Sequence, residues 1–168
     1  GYRFNKTEYL EQAFTHRSVS SEPRENYERL EFLGDAVIDI IISRELMRYY
    51  PDGDEGLLTK KRSALVQQSF LSKIGNMLNI MDYLIVEPNV DLENEKVVNK
   101  QQANLVEALI GALYLDGGIK PAKTVIINTI WKHRNEAWKS INYKGQLIEY
   151  CHAHGIKSPK FHLANVSG

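Results

Sequence analysis

Two groups of oxygen-bearing side chains in this 168-residue sequence could do chemistry together. The first lies in Asn26 to Asp39, which reads Asn-Tyr-Glu-Arg-Leu-Glu-Phe-Leu-Gly-Asp-Ala-Val-Ile-Asp. At about 100° per residue, Glu28, Glu31, Asp35 and Asp39 fall within an arc of roughly 80°, while Leu30, Leu33, Val37 and Ile40 gather opposite. Like charges at this spacing repel one another and weaken a helix. No Lys or Arg stands on the arc, so compensation must come from elsewhere in the fold or from a bound cation; a solvated acidic stripe is the plainer alternative. The second group is Asn104 and Glu107, three residues apart on one helix face with Leu105, Val106, Ala108 and Leu109 around them. Acids on one helix facing a polar pair on another are how helical bundles build metal sites. Oxygen ligands alone favour Mg²⁺, Mn²⁺ or Ca²⁺ over Zn²⁺. Spacing alone is equally consistent with Asn104 and Glu107 at ordinary surface positions.

Other chemistries lack their residues. The five histidines, His16, His133, His152, His154 and His162, are scattered and are expected at the surface. One Glu-x-x-His occurs, at Glu149 to His152, where a di-iron bundle needs two on facing helices. No Walker loop, Gly-x-Ser-x-Gly elbow or Cys-x-x-Cys is present, and nucleophilic catalysis has no candidate. The single cysteine, Cys151, cannot form an internal disulfide, which points to a reducing compartment, with the cytoplasm expected. No apolar run reaches spanning length, so no membrane role is expected. Lys plus Arg and Asp plus Glu balance at 21 each, so any polyanionic partner must be recognised locally. Hydrophobic residues at 43% and charged residues at 25% are ordinary globular usage and exclude a disordered chain.

The elements that must hold the two polar groups are helices. Tyr9, Leu10, Ala13 and Phe14 recur at helical spacing, and a loop rich in Ser with Pro23 follows. A central helix runs from Asn26 to Tyr50, stopped by Pro51, and its second half, Ala36 to Ile42, is apolar almost all round, the pattern of a buried helix. After the turn Asp52 to Gly56, one helix is expected from Leu57 to Leu78, with Lys60-Lys61-Arg62 opposing the macrodipole at its start. Glu87 to Asn99 reads as a polar connector. The next helix begins at Lys100 and is closed by Gly117-Gly118; Pro121 opens a fifth. Lys139 to Tyr143 looks like a boundary, beyond which a helix, Lys144 to His154, and an alternating strand containing Phe161, Leu163 and Val166 are too little to bury a core.

With the residues in view, a resemblance is apparent. Glu28-Arg29-Leu30-Glu31-Phe32-Leu33-Gly34-Asp35-Ala36 resembles the signature of the ribonuclease III family, whose members cleave double-stranded RNA. Thr15-His16-Arg17-Ser18, Asp54-Glu55-Gly56 and Glu107-Ala108-Leu109-Ile110-Gly111-Ala112 with Tyr114-Leu115-Asp116 resemble family segments in the same order. The resemblance implies an all-α endonuclease domain over residues 1–139. It further implies a truncated α+β double-stranded-RNA-binding domain over residues 142–168, of which only the first helix and first strand are present.

Carried over by position, the resemblance makes Glu31, Asp35, Asn104 and Glu107 the metal site, with Asp35 and Glu107 catalytic. Glu28 and Glu55 become a secondary acidic site, Phe32 a homodimer contact, and Lys144 and Glu149 RNA contacts. The implied cofactor is Mg²⁺, with Mn²⁺ able to substitute. The implied substrate is duplex RNA, including rRNA and mRNA precursors, cut to 5′ phosphates with short 3′ overhangs. Two departures stand out. Asn104 occupies a position where the family usually has Asp, bringing an amide oxygen but no charge; Gly145 and Ile148 replace polar residues of the RNA-binding helix. The rival reading is a ribonuclease III-like scaffold that binds structured RNA without cutting it, and Asn104 is the feature favouring it.

Overall fold

The computed structural model describes residues 2–139, together with 151 and 155–157. The expected RNA-binding segment, residues 142–168 with Lys144 and Glu149, lies almost wholly outside the described residues. Within them, regular structure is helical: α1 (Thr7–Phe14), α2 (Glu28–Tyr49), α3 (Glu55–Val66), α4 (Gln68–Met77), a 3₁₀ turn (Ile80–Tyr83), α5 (Glu95–Gly117), α6 (Ile119–Ile126), a π turn (Ile127–Trp131) and α7 (Arg134–Lys139). The one β-type pairing among them is an isolated parallel bridge between Thr15 and Ile85, which ties the loop after α1 to the chain beyond the 3₁₀ turn.

The core is built on α2 and α5, whose Leu30, Val37, Ile38, Ile41, Ile42, Leu46, Leu105, Val106, Ala108, Ile110 and Leu113 are buried. Two glycines let these helices touch backbone to backbone. A Cβ on Gly34 would overlap the Glu107 carbonyl oxygen, and one on Gly111 would overlap that of Leu30. Larger residues would hold the axes apart at the usual 8–10 Å or more. Around this crossing, α4 and α1 pack on α5, while α3 and α6 complete the layer.

Local chemistry sets the helix ends. Asn26 is buried; its amide donates to the carbonyls of Ser20 (3.0 Å) and Glu22 (3.2 Å), and its oxygen accepts the Glu28 N–H (3.1 Å), so the loop and the start of α2 are organised by one side chain. Asp54 caps α3 by accepting from Leu57 N at 2.7 Å, and Asn94 caps α5 by accepting from Lys96 N at 3.0 Å. Gly118, at φ 73°, ends α5 in a conformation open to glycine.

Four expectations change. The helix expected over residues 57–78 is two, because Gln67 is extended (φ −66°, ψ 144°) between them; the apolar period runs on unbroken since Leu65, Phe70, Leu71 and Ile74 all face the same core. Helix α5 starts at Glu95 rather than Lys100; in its first turn Glu95 and Lys96 are exposed and Val97 and Val98 are half-buried. The helix with Pro121 starts at Ile119 and passes through a π turn, Lys132 N bonding Ile127 O at 3.1 Å, after which α7 forms separately. Finally, α2 is not buried all round. Val37, Ile38, Ile41 and Ile42 are buried, but Ile40 is 65% exposed, because α2 is covered on one side only.

Because α3 begins at Glu55, the basic trio falls in its middle rather than at its start, and Arg62 and Lys61 are used in packing. Arg62 donates to Ser43 Oγ (2.9 Å) and stands 3.8 Å from Asp39, supplying part of the counter-charge the acidic arc lacks. Lys61 lies 4.5 Å from the Trp138 ring centroid, while Trp138 Nε1 donates to the Lys61 carbonyl (3.2 Å), which fastens α7 to α3.

Candidate active site

The glycine-mediated crossing brings the two polar groups of the sequence to one place. A cleft of about 800 Å³ is lined by Glu28, Glu31, Phe32 and Asp35 from α2, by Lys100, Gln101, Asn104 and Glu107 from α5, and by His16, Arg17 and Tyr27 from the preceding loop. Asp39 is one turn too far along α2 and turns to Arg62 instead. Glu55 is also elsewhere: it begins α3, accepts from Thr59 Oγ1 at 2.8 Å and lines a separate cavity with Ser43, Met47 and Arg62.

The crowding of acids is visible in their protonation. Burial raises the Glu107 carboxyl, and the charges of Asp35 and Glu31 raise it further, to about 8. Glu31 is raised by burial and by Glu28, against the lowering effect of Lys100. Asp35 is raised by burial and then by Asp39. Without a cation this cleft therefore keeps a proton on Glu107 at neutral pH. Positive charge stands at the rim: Arg17 is 3.4 Å from Glu28, and both are substantially exposed, so the pair contributes little to stability.

The donor set can be tested against a hard divalent cation. Among the described residues, no three His, Cys, Asp or Glu side chains stand close enough together to hold a metal ion alone. Mg²⁺ does not need such a cage, since it is commonly held by one or two carboxylates with waters and substrate phosphate completing its shell. The oxygen-only donors suit such an ion, and it would offset both the burial and the charges of Asp35 and Glu31 that keep Glu107 protonated. The residues fit the group.

His16 was expected at the surface and is instead buried, at 8% exposure. Burial and then Arg17 lower its pKa, against a raising effect of Glu28, and keep the ring neutral. Four further lining residues had no place among the candidates, Arg17, Tyr27, Lys100 and Gln101; Tyr27 donates to Gln101 Oε1 at 2.7 Å. The available signal was the position of His16 and Tyr27 in or beside the segments that resemble the family. Phe32 is 80% exposed beside the acids, an unusual place for a phenyl ring. The side chain of Asp116 fastens the N-terminal segment by accepting from Tyr2 Oη (2.6 Å), Asn5 N (2.8 Å) and Lys6 N (2.9 Å).

Fold and site together define an all-helical domain with an acid-lined cleft where its two longest helices cross. Comparison with known proteins narrows the class. Residues 6–134 match the ribonuclease-III-like family. The sequence is 40% identical over 171 residues to Ribonuclease 3 of Anaplasma phagocytophilum, covering 100% of this chain and 72% of that protein. It is 34% identical over 170 residues to Ribonuclease 3 of Brucella canis, covering 100% and 69%. Among solved structures, a ribonuclease III nuclease domain from Campylobacter jejuni, described for flexibility in a region involved in dimer formation, superposes with a TM-score of 0.72 at 36% identity, over 78% of this chain and 90% of that one. The chain belongs to the ribonuclease III family and carries its nuclease domain; it is an endoribonuclease.

Proposed function

We propose that this endoribonuclease works as a homodimer on double-stranded RNA, with Mg²⁺ or Mn²⁺ as cofactor, and leaves 5′ phosphates with short 3′ overhangs, in the processing of rRNA and mRNA precursors in the cytoplasm. The observation that carries the reading is the convergence of Glu31, Asp35, Asn104 and Glu107 on one cleft, with Glu107 raised to about 8. When bound, a divalent cation supplies the positive charge that lets a water attack a phosphodiester and an alkoxide leave near neutral pH.

The chain's own residues do the rest. Glu31, Asp35, Glu107 and the Asn104 amide oxygen would hold the cation between them, in part through its waters, and Glu107 would do so as the carboxylate. Arg17 and Lys100, on the rim of the acidic cleft, meet the phosphates that acids alone would repel. Recognition rests on shape, phosphates and 2′-hydroxyls, because the deep major groove of A-form RNA hides its bases. Glu28 lies on the approach to the cleft, whereas Glu55, in its own cavity, joins this site only through RNA that spans both. Lys144 and Glu149 would extend the contact along the duplex. Two copies related by a two-fold axis, with Phe32 of each reaching the other, would place two clefts on the two strands and so stagger the cuts.

The scaffold reading is favoured by Asn104 alone, which removes one charge from the site. Incubating the full chain with a long RNA duplex, in Mg²⁺ and in EDTA, beside Glu107→Ala, separates the two. Staggered cutting that both EDTA and the substitution abolish supports the nuclease. Binding without cutting in Mg²⁺ and Mn²⁺ alike would establish the scaffold.

A further inference from the structure

Two cations line the acidic cleft, and only one of them is paired. Arg17 stands 3.4 Å from Glu28, whereas Lys100 is exposed and makes no ion pair among the described residues. Lys100 lies on α5 one turn before Asn104 and two turns before Glu107. At about 100° per residue the three fall within an arc of roughly 60°, so the ammonium belongs to the same helix face as the two polar groups of the site. Its charge is felt there: burial and Glu28 raise the Glu31 carboxyl, and Lys100 draws it back down.

The balance of charge in the cleft fits one divalent ion. Its lining holds four carboxylates, Glu28, Glu31, Asp35 and Glu107, against the two cations, with His16 kept neutral by burial. Once Glu107 is ionised, two negative charges remain, and a single divalent ion cancels them. Ligands for a second ion are also short. Among the described residues no three acids stand close enough to hold a metal alone, and Asn104 brings an oxygen without a charge. Nucleases that use two metals place positive charge on both the attacking and the leaving oxygen. In this cleft one such charge is part of the chain.

We propose that Lys100 stands in for a second divalent ion: the cleft takes one Mg²⁺ or Mn²⁺ per subunit, and the Lys100 ammonium meets the RNA phosphodiester where another metal would. A lysine suits that part, being a compact charge with three donors on a flexible four-carbon stem that can follow a phosphate oxygen. The arrangement also accounts for a site that works with Asn at position 104, since one ion held beside a fixed cation needs fewer carboxylates than two. The proposal deepens, and rests on, the reading of the cleft as the cation site of a nuclease.

The test is calorimetric titration of the full-length, RNA-free protein with Mn²⁺, for the parent, Lys100→Met and Lys100→Glu. Single-turnover cleavage of a long RNA duplex at saturating Mg²⁺ is measured beside it, with thermal melting as a check on folding. The parent is expected to bind one ion per subunit. Lys100→Met removes a like charge from beside the ion, and is expected to tighten Mn²⁺ about tenfold while slowing cleavage about 100-fold. A merely structural role would not move the two in opposite directions. Lys100→Arg, which keeps the charge, should recover most of the lost rate. Lys100→Glu supplies the carboxylate that a second ion lacks and should bind two ions per subunit. Two ions in the parent, or cutting by Lys100→Met as fast as the parent, would overturn the proposal. No ion bound at all would overturn both the proposal and the cation-site reading beneath it. In a chain that leaves duplex RNA uncut, the expected ion counts with weaker RNA binding by Lys100→Met would support the role of the lysine and sink only the nuclease reading.

Discussion

Glu107 behaves unlike an ordinary carboxylate, and its surroundings say why. Its folded pKa of about 8 stands above the ordinary 4.5 because burial and the charges of Asp35 and Glu31 disfavour ionisation. Below the ordinary value, folded and unfolded chains are both protonated and the group has no effect on stability. As pH rises from there to about 8, the unfolded chain ionises first and the metal-free fold loses stability progressively. Glu107→Gln, which cannot ionise, should flatten that slope between pH 5 and 8 in EDTA and raise the melting temperature at the alkaline end. In Mg²⁺ the same variant should lose more than about 100-fold in cleavage rate, since a ligand should matter more than the outer-shell groups whose loss costs 10–100-fold. Melting curves across pH, beside single-turnover cleavage, read both effects. For Asn104→Asp, the extra charge should lower the half-saturating Mg²⁺ concentration about tenfold, the order expected for one unit charge near a divalent ion at the edge of solvent. A titration of cleavage rate against Mg²⁺ measures it, and no change would mean that the amide already serves as well as a carboxylate.

Helices α2 and α5 make the site because Gly34 and Gly111 permit backbone contact at the level of Glu31, Asp35 and Glu107. Gly34→Ala would set a methyl group into the Glu107 carbonyl, which belongs to the backbone of a helix and cannot swing aside. The expected cost is about 3 kcal/mol, at the upper end for overpacking, with the acids pushed apart and cleavage reduced more than stability alone explains. Denaturant unfolding alongside activity at a temperature where the variant remains folded separates the two effects. At this scale much was legible in the sequence: α1, α2 and the latter part of α5 follow from apolar period and caps. The break at Gln67 was not, because no Gly or Pro marks it and both α3 and α4 turn the same period to one core. The first turn of α5 was unreadable because its two apolar residues, Val97 and Val98, are adjacent and make no helical period by themselves.

Over the whole molecule, Phe32 is the most exposed of the large hydrophobic side chains among the described residues. Phe32, 80% exposed, sits between the acid-lined cleft and a second cavity of about 620 Å³ formed by Tyr9, Pro23, Arg24, Leu30, Leu33 and Leu115. If Phe32 enters the partner copy, Phe32→Ala should shift the protein toward monomer at micromolar concentration in analytical ultracentrifugation while leaving its melting temperature near the parent's. An unshifted oligomeric state would remove Phe32 from the interface.

What residue type and order determined by themselves was a helical domain, the acids of α2, the polar pair on α5, and a family resemblance strong enough to name candidates position by position. These are local properties: period, caps and motif spacing need no knowledge of neighbours. Which acids share a cleft was decided only by tertiary structure. Asp39 lies on the same arc as Glu28, Glu31 and Asp35, yet it turns to Arg62, and Glu55 opens a helix that faces a different cavity. His16 looked like a surface histidine because nothing adjacent in sequence predicts burial; the bridge between Thr15 and Ile85 and the packing against Tyr27 and Gln101 bury it. The hydrogen bonds of Gln101 to Tyr27 and His16 join residues 74 and 85 positions apart in the chain. Long-range contacts of that kind arise when helices cross, and no periodicity along a single helix records them.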